Sequence, residues 1–304
     1  MVVPTVYVSS SGPGEGKVTP VMIATNTPGK PIKVGRSPGQ IAITPDGKTA
    51  YVANLDSSTV TPITTATNTP GKPIKVGRSP SGLATRGISI AITPDGKTAY
   101  VANLASDTVT PITIATSTAG KSIKVGRAPD FIAITPDGRT AYVANLDSST
   151  VTPITTATNT AEKPIEVGNG PVEIAITPDG KTAYAVNQNS GTVTPITIAT
   201  STPGTPISVG SVAAGIAITP DGNTAYVASE GSGTVTPITI ATSTAGKPIK
   251  VGRSPGTIAI TPDGKTAYVA NRGPGTVTPI ATATNTAGKP ISVGRILSAI
   301  AITP

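Results

Sequence analysis

The chain has 304 residues and a formal charge of +8, from 23 Lys and Arg against 15 Asp and Glu, and it contains no histidine, cysteine or tryptophan. That inventory excludes disulfides, thiolate nucleophiles, Cys- or His-ligated zinc and a Ser-His-Asp triad. Aromatics are 3% of the chain, so its 37% hydrophobic fraction is mostly Val, Ile and Ala, small units suited to closely fitted pleated surfaces.

In chain order, TVYVSS at residues 5–10 reads as a strand that lacks a preceding partner. From Ile41 a unit begins that recurs along the chain. IAITP starts at Ile41, Ile90, Ile132, Ile174, Ile216, Ile258 and Ile300, with spacings of 49 and then 42 five times. Seven extra residues within Pro80 to Ser89 account for the longer step. Each unit reads as four strands: IAIT, then a PDGK turn whose Asp-Gly signals a hairpin, then TAYVAN, then TVTPITTAT after a short polar link, then KPIKVG after a longer one. No helical periodicity competes. Units of about forty residues with four strands are the signature of a propeller blade.

The arithmetic of the ends completes the architecture. The chain stops on IAITP, a first strand without a second, and starts on a second strand without a first. The expectation is therefore an all-β, seven-bladed β-propeller with four-stranded antiparallel blades, one domain over residues 1–304. Residues 300–304 would close it as the innermost strand of the blade whose other three strands are N-terminal. Met1-Val-Val-Pro carries no basic region and no long apolar run, so no signal peptide is expected. No apolar run approaches the roughly 18 residues of a membrane helix, so no membrane insertion is expected.

PDGKTAYVAN together with STVTPI resembles the YVTN family of β-propeller repeats, and the resemblance spans essentially the whole chain. It implies a seven-bladed propeller and the settings of that family: surface-layer proteins, secreted or periplasmic proteins and lactonase-like enzymes. An extracellular or cell-surface location is the corresponding expectation. One feature departs from the family. The third strand reads TVTPIT where the family pattern is closer to TVSVID. Proline cannot donate to a sheet ladder, which predicts a bulge at Pro62 and at its six counterparts.

The tyrosines, Tyr7, Tyr51, Tyr100, Tyr142, Tyr184, Tyr226 and Tyr268, share one phase, as packing between blades requires. Six of the ten aspartates lie in the PDG turns, where Asp bonds its own backbone. The lysines of GKPIKVG fall on outermost strands, where charge guards a sheet edge; a polyanion-binding girdle is the other reading. The link that leads into each innermost strand carries Arg36, Arg78, Arg127, Arg253 and Arg295. These arginines either pair with Asp56, Asp107, Asp147 and Glu230 of the neighbouring links or form an anion-attracting channel mouth. Glu173 and Phe131, each just before an innermost-strand Ile, complete the candidate ligand site.

Near-identical blades argue for a non-catalytic binding or structural scaffold and not an enzyme, because catalysis needs distinct groups held asymmetrically. The expected partner is a protein, a glycan or an anionic ligand, bound by a monomer without cofactor or metal. Two alternatives stand beside this reading. A nucleic-acid-binding propeller would use the positive charge but lacks exposed stacking aromatics. A lactonase-like hydrolase or lyase would need an acid/base pair or a carboxylate-lined metal site.

Overall fold

A computed structural model describes residues 5–10, 15–22, 24–25, 27–78 and 89–293. They form seven antiparallel sheets, with no α-helix and two three-residue 3-10 turns among them. The expected closing strand at 300–304, Arg295, and most of the long insertion after Arg78 lie outside the described residues. Two compact units make up the chain: residues 1–145 with 152–163, and residues 146–151 with 164–304. The first holds the sheets spanning residues 5–33, 38–75 and 90–124; the second holds those spanning 171–208, 213–250 and 255–292. The sheet spanning 129–166 has residues in each.

One sheet represents the others. Pro38–Ile43 pairs with Thr49–Asn54, which pairs with Thr59–Thr64, and two fragments, Thr69–Pro70 and Ile74–Lys75, both pair with that third strand. The PDGK hairpin closes tightly. Gly47 takes φ +69°, the Gly47 N–H donates to the Thr44 carbonyl at 2.8 Å, and the Thr44 N–H donates to the Thr49 carbonyl at 2.9 Å. Gly is the residue that enters this left-handed region without strain.

The proline of the third strand acts differently from the sequence expectation. Pro62 stands in an unbroken register opposite Tyr51, so the third strand carries no bulge against the second. The irregularity falls on the fourth strand instead. Ile63 faces Pro70 and Val60 faces Ile74, so Gly71 to Pro73 face only Thr61 and Pro62. Neighbouring groups of one residue in an antiparallel ladder point to the same side. Pro62 has no N–H to offer on that outer side, and the outer strand breaks around it, leaving its carbonyl to accept from the Gly71 N–H at 2.7 Å. The same bond recurs from Gly29 to Pro20 and from Gly288 to Pro279. Register shifts do occur in innermost strands, between Pro38 and Ile41, Pro129 and Phe131, Pro171 and Glu173, Ala213 and Gly215, and Pro255 and Ile258.

The second strand, TAYVAN, is buried on both faces, and its alternation divides the work. Ala50 and Val52 pack with Val18 and Ile32 of the preceding sheet, while Tyr51 and Ala53 pack with Ala99 and Val101 of the following one. A large Tyr therefore shares its core cluster with a small Ala of the next sheet. Tyr100 repeats this with Ala141, Tyr184 with Ala225 and Tyr226 with Ala267. The Tyr100 hydroxyl then reaches the next sheet's outer turn, donating to the Asn159 Oδ1 at 2.6 Å and lying 3.3 Å from the Thr156 carbonyl. Tyr226 makes the same contacts to Asn285 and Thr282. Asn159 and Asn285 both hold φ 53°, a left-handed conformation that Asn tolerates. Removing a ring of this kind costs roughly 3–5 kcal/mol, against about 1 kcal/mol for the hydroxyl's hydrogen bond. Packing therefore dominates this joint and the bond orients it.

The links at one end of each sheet are tied down by a buried Asn. Asn103 closes the second strand and its Nδ2 donates to Thr108 Oγ1 at 3.2 Å and to Thr110 Oγ1 at 2.9 Å. The Gly of the VG pair lies against it: a Cβ on Gly77 would come 2.7 Å from the Cβ and Cγ of Asn103. Gly35 with Asn54 and Gly252 with Asn271 repeat the contact. Where Ser229 replaces this Asn, the Ser229 Oγ and the Thr236 Oγ1 both donate to the Val209 carbonyl, at 2.9 and 2.8 Å.

Two outcomes follow. Gly77→Ala overpacks a half-buried position against the buried Asn103 and is expected to destabilise the protein by about 1–3 kcal/mol, read as a lower denaturant midpoint with an unchanged slope. Alkali tests the tyrosine joint. Burial pushes the Tyr100 hydroxyl up to about 12, whereas an unfolded tyrosine ionises near 10. Stability is therefore complete below about pH 10 and falls as pH rises through 12. Phenolate absorbance from Tyr100, Tyr184 and Tyr226, whose hydroxyls burial pushes up, is expected to appear together with unfolding, and their free titration at about pH 10 in the folded protein would contradict the joint.

Candidate functional site

The two ends of each sheet differ in chemistry. At the hairpin end the aspartates are absorbed by their own turns. Asp46 Oδ1 accepts from the Thr44 hydroxyl at 2.7 Å and from the Lys48 N–H at 3.0 Å. The Thr44 hydroxyl, then the Lys48 N–H, hold its carboxyl below the usual aspartate range. Asp95, Asp137, Asp179, Asp221 and Asp263 are held the same way. These groups are committed to structure.

The opposite end, formed by links, holds the candidate residues of the sequence. In the sheets spanning 38–75 and 255–292 the link after the second strand is bonded to the link that enters the same sheet: the Leu55 N–H donates to the Ser37 carbonyl at 3.0 Å, and the Arg272 N–H to the Ser254 carbonyl at 3.0 Å. Arg36, Arg78, Arg127 and Arg253 all lie in these entering links with exposed side chains. Arg36 and Arg78 donate their backbone N–H groups to Ser57 Oγ and Ser106 Oγ, both at 2.6 Å. The neighbouring acids serve the links as well: Asp56 accepts from the Ser37 hydroxyl, and Asp107 accepts the Ala128 N–H at 2.9 Å. Glu173 and Phe131 are half-buried in innermost strands, each directly after the register shift. They belong to different units, Phe131 to the first and Glu173 to the second.

In the second unit the links bring together a pair that the sequence reading did not assemble. Arg272 Nη1 lies 3.0 Å from Glu230 Oε1, with side-chain exposures of 36% and 22%. The hairpin pair Lys48–Asp46, by comparison, is 78% and 53% exposed. Partial withdrawal from water makes the Glu230–Arg272 contact the stronger of the two. Three features position it. The Glu230 N–H donates to the Val212 carbonyl at 2.8 Å. The guanidinium passes over Gly256, where a Cβ would sit 3.2 Å from Arg272 Nε. The following Gly273 donates its N–H to the Arg253 carbonyl at 3.3 Å, which brings one of the expected arginines onto the adjoining link.

Glu230 and Arg272 occupy one position of the repeat, the residue directly after TAYVAN, TAYAVN or TAYVAS. It is Leu55, Leu104 and Leu146 in three repeats, then Gln188, Glu230 and Arg272 in the next three. That change from apolar to polar was the available signal. Beside it lies an open recess of about 620 Å³, lined by Gln188, Asn189, Ser190, Ser208, Ser211 and Val212, with Gly191 and Gly210. Val212 both lines this recess and accepts the hydrogen bond from Glu230. Amides and hydroxyls there can orient a polar ligand, and the adjoining carboxylate and guanidinium can move a proton and hold negative charge. Among the described residues no three metal-ligating acids come together.

Comparison with known proteins gives these residues a context. A family model described as lactonase, seven-bladed β-propeller, matches residues 32–163 and 182–289. Among solved structures the chain is similar to hydrazine synthase of Kuenenia stuttgartiensis, at 26% identity and TM-score 0.69 over 86% of this chain and 88% of that one. It is also similar to a candidate 6-phosphogluconolactonase of Bacteroides fragilis, at 20% identity and TM-score 0.71 over 96% and 95%. A functionally unknown protein from Desulfotomaculum acetoxidans is 17% identical, with TM-score 0.69 over 90% and 92%. The last two likenesses speak for the fold alone. No curated protein matches the chain.

The family match corrects two expectations, that the chain is a non-catalytic scaffold and that it is not an enzyme. The argument from identical blades fails for a physical reason. Identity resides in the strands, whereas the links differ from blade to blade and hold unlike groups side by side, as Glu230 and Arg272 do.

Proposed function

The chain belongs to the lactonase family of seven-bladed β-propellers, and on that premise we propose that it hydrolyses lactones at the link end of its second unit. The observation that carries the site is the half-buried Glu230–Arg272 pair beside a polar recess. Ring opening of a lactone needs a water made nucleophilic and an oxyanion stabilised. The Glu230 carboxylate takes a proton from a water as its oxygen bonds to the lactone carbonyl carbon. Arg272 holds the negative charge that develops on the former carbonyl oxygen. The tetrahedral centre collapses with cleavage of the ring C–O bond, and the proton on Glu230 passes to the departing ring oxygen, leaving a hydroxy acid. Gln188, Ser190 and Ser211 orient the ring through its polar substituents.

Arg253 on the adjoining link favours lactones that carry negative charge, since a guanidinium fork suits carboxylate and phosphate. In this reading the corresponding Arg36, Arg78 and Arg127 draw anions to the same end of their own blades. The YVTN-like repeats support an extracellular or cell-surface setting for the reaction.

Hydrolysis of five- and six-membered lactones, neutral and acid-bearing, is measured by titrating the acid released. Wild-type protein is expected to exceed the spontaneous rate. Glu230→Gln is expected to lower kcat/KM by about 10²–10⁴ and Arg272→Ala by about 10²–10³, with thermal midpoints retained. Absence of hydrolysis of any lactone by the wild type would overturn the activity. Full activity in both variants would move the site elsewhere.

A further inference from the structure

The chain's charge is distributed unevenly over its surfaces. At the hairpin turns Lys48 lies 3.5 Å from Asp46, Lys97 3.6 Å from Asp95 and Lys181 3.5 Å from Asp179, so that end is close to neutral. The outer strands differ. Eleven of the 23 cations, all lysines, lie on the outer-strand segments or directly opposite them, together with three of the 15 acids. Their surplus of eight equals the net charge of the whole chain, and the remaining twelve cations are equal in number to the remaining twelve acids.

In the first unit this surplus becomes a strip. Lys30, Lys33, Lys72, Lys75, Lys121 and Lys124 are exposed on three successive sheets. The outer fragment Ile32–Lys33 lies alongside Thr69–Pro70, and Ile74–Lys75 alongside Thr118–Ala119, so the lysines of one sheet adjoin those of the next. Among the described residues the one ion pair these lysines make is Lys33 with Glu15, at 3.0 Å with both side chains largely exposed, a contact of small energy. Between two of these sheets lies a recess of about 530 Å³, walled by Lys30 and Lys33, by Thr67 and Asn68, and by the rings of Pro20, Pro31 and Pro70.

We propose that this strip binds an acidic polysaccharide. Lysine is the usual guard of a sheet edge, but that task alone is served as well by interspersed signs, which avoid self-repulsion. A single sign concentrated on one edge points to a ligand of the opposite sign. Lysine is a point charge on a flexible stem, suited to a polymer whose acid groups present themselves at many angles. The proline rings offer flat apolar surface for the C–H face of a sugar, and Thr67 and Asn68 offer polar groups for its hydroxyls. Nucleic acid fits less well. Tyr51, Tyr100 and Tyr142 are at most 1% exposed, which leaves bases without those rings to stack on.

The strip is separate from Glu230 and Arg272, so its test does not depend on the lactonase reading. Binding of the full chain to heparin and to polygalacturonate is measured by calorimetry at two salt concentrations, with an oligothymidylate of matched charge in parallel. The wild type is expected to bind at least one polysaccharide, more weakly as salt rises. Replacing the six lysines by Gln is expected to weaken binding at least tenfold and to flatten the salt dependence. Lys48→Gln with Lys97→Gln and Lys181→Gln is expected to leave binding within twofold. If the sixfold variant does not fold, Lys72→Gln with Lys75→Gln alone is expected to weaken binding two- to threefold, and Arg at both positions to retain it. No binding by the wild type, equal loss in the hairpin-turn variant, or tighter binding of the oligonucleotide would each overturn the proposal.

Discussion

The fit of a tyrosine ring against an alanine of the next sheet is the contact on which the rest of this structure depends. The second strand is buried on both faces, so each of its side chains must be matched by the sheet on that side. TAYVAN solves this with one large and one small residue at offset positions. Interiors are close-packed and tolerate neither voids nor extra methylenes cheaply. A sequence that satisfies the match once can repeat it, and the repetition of TAYVAN along the chain is the visible result. Conservation of strand sequence between blades is a packing requirement and carries no information about activity.

Function is therefore read where packing lets go. The links at one end are bonded backbone to backbone and braced by buried Asn side chains, so their outer residues are free to differ. At one link position the chain passes from Leu55, Leu104 and Leu146 to Gln188, Glu230 and Arg272. An apolar cap over the sheet end thereby becomes an ion pair beside a polar recess, with the supporting strands almost unchanged. This gives a propeller of the lactonase family unlike groups without disturbing its repeated core.

The repeat period, the seven sheets, the Asp-Gly hairpins and the buried tyrosines were legible in the sequence, because each rests on local chemistry. Two features were not. A bulge was expected at Pro62 and does not form there; the irregularity falls on the strand beside it, since the missing N–H matters only on the side where it would have donated. Glu230 was read as a possible partner for the entering-link arginines, and Arg272 was passed over. Their closeness joins residues 42 apart in sequence and depends on how consecutive links lie, which spacing alone does not convey. Arg36 and Arg78 lie in links whose backbone bonds to the serines Ser57 and Ser106 of the neighbouring links.

The proline-broken outer strand also restricts how other proteins can approach. Partners that recognise an exposed sheet commonly extend it by one strand, reading backbone groups in succession. Here each outer fragment in the described sheets is two residues long, and Gly71 has already turned its N–H inward to Pro62. A partner chain finds no continuous row of donors and acceptors to zip onto. Recognition along this perimeter must proceed through side chains, which makes the identity of the residues at the rim, and not the pleat beneath them, the vocabulary by which this propeller chooses its company.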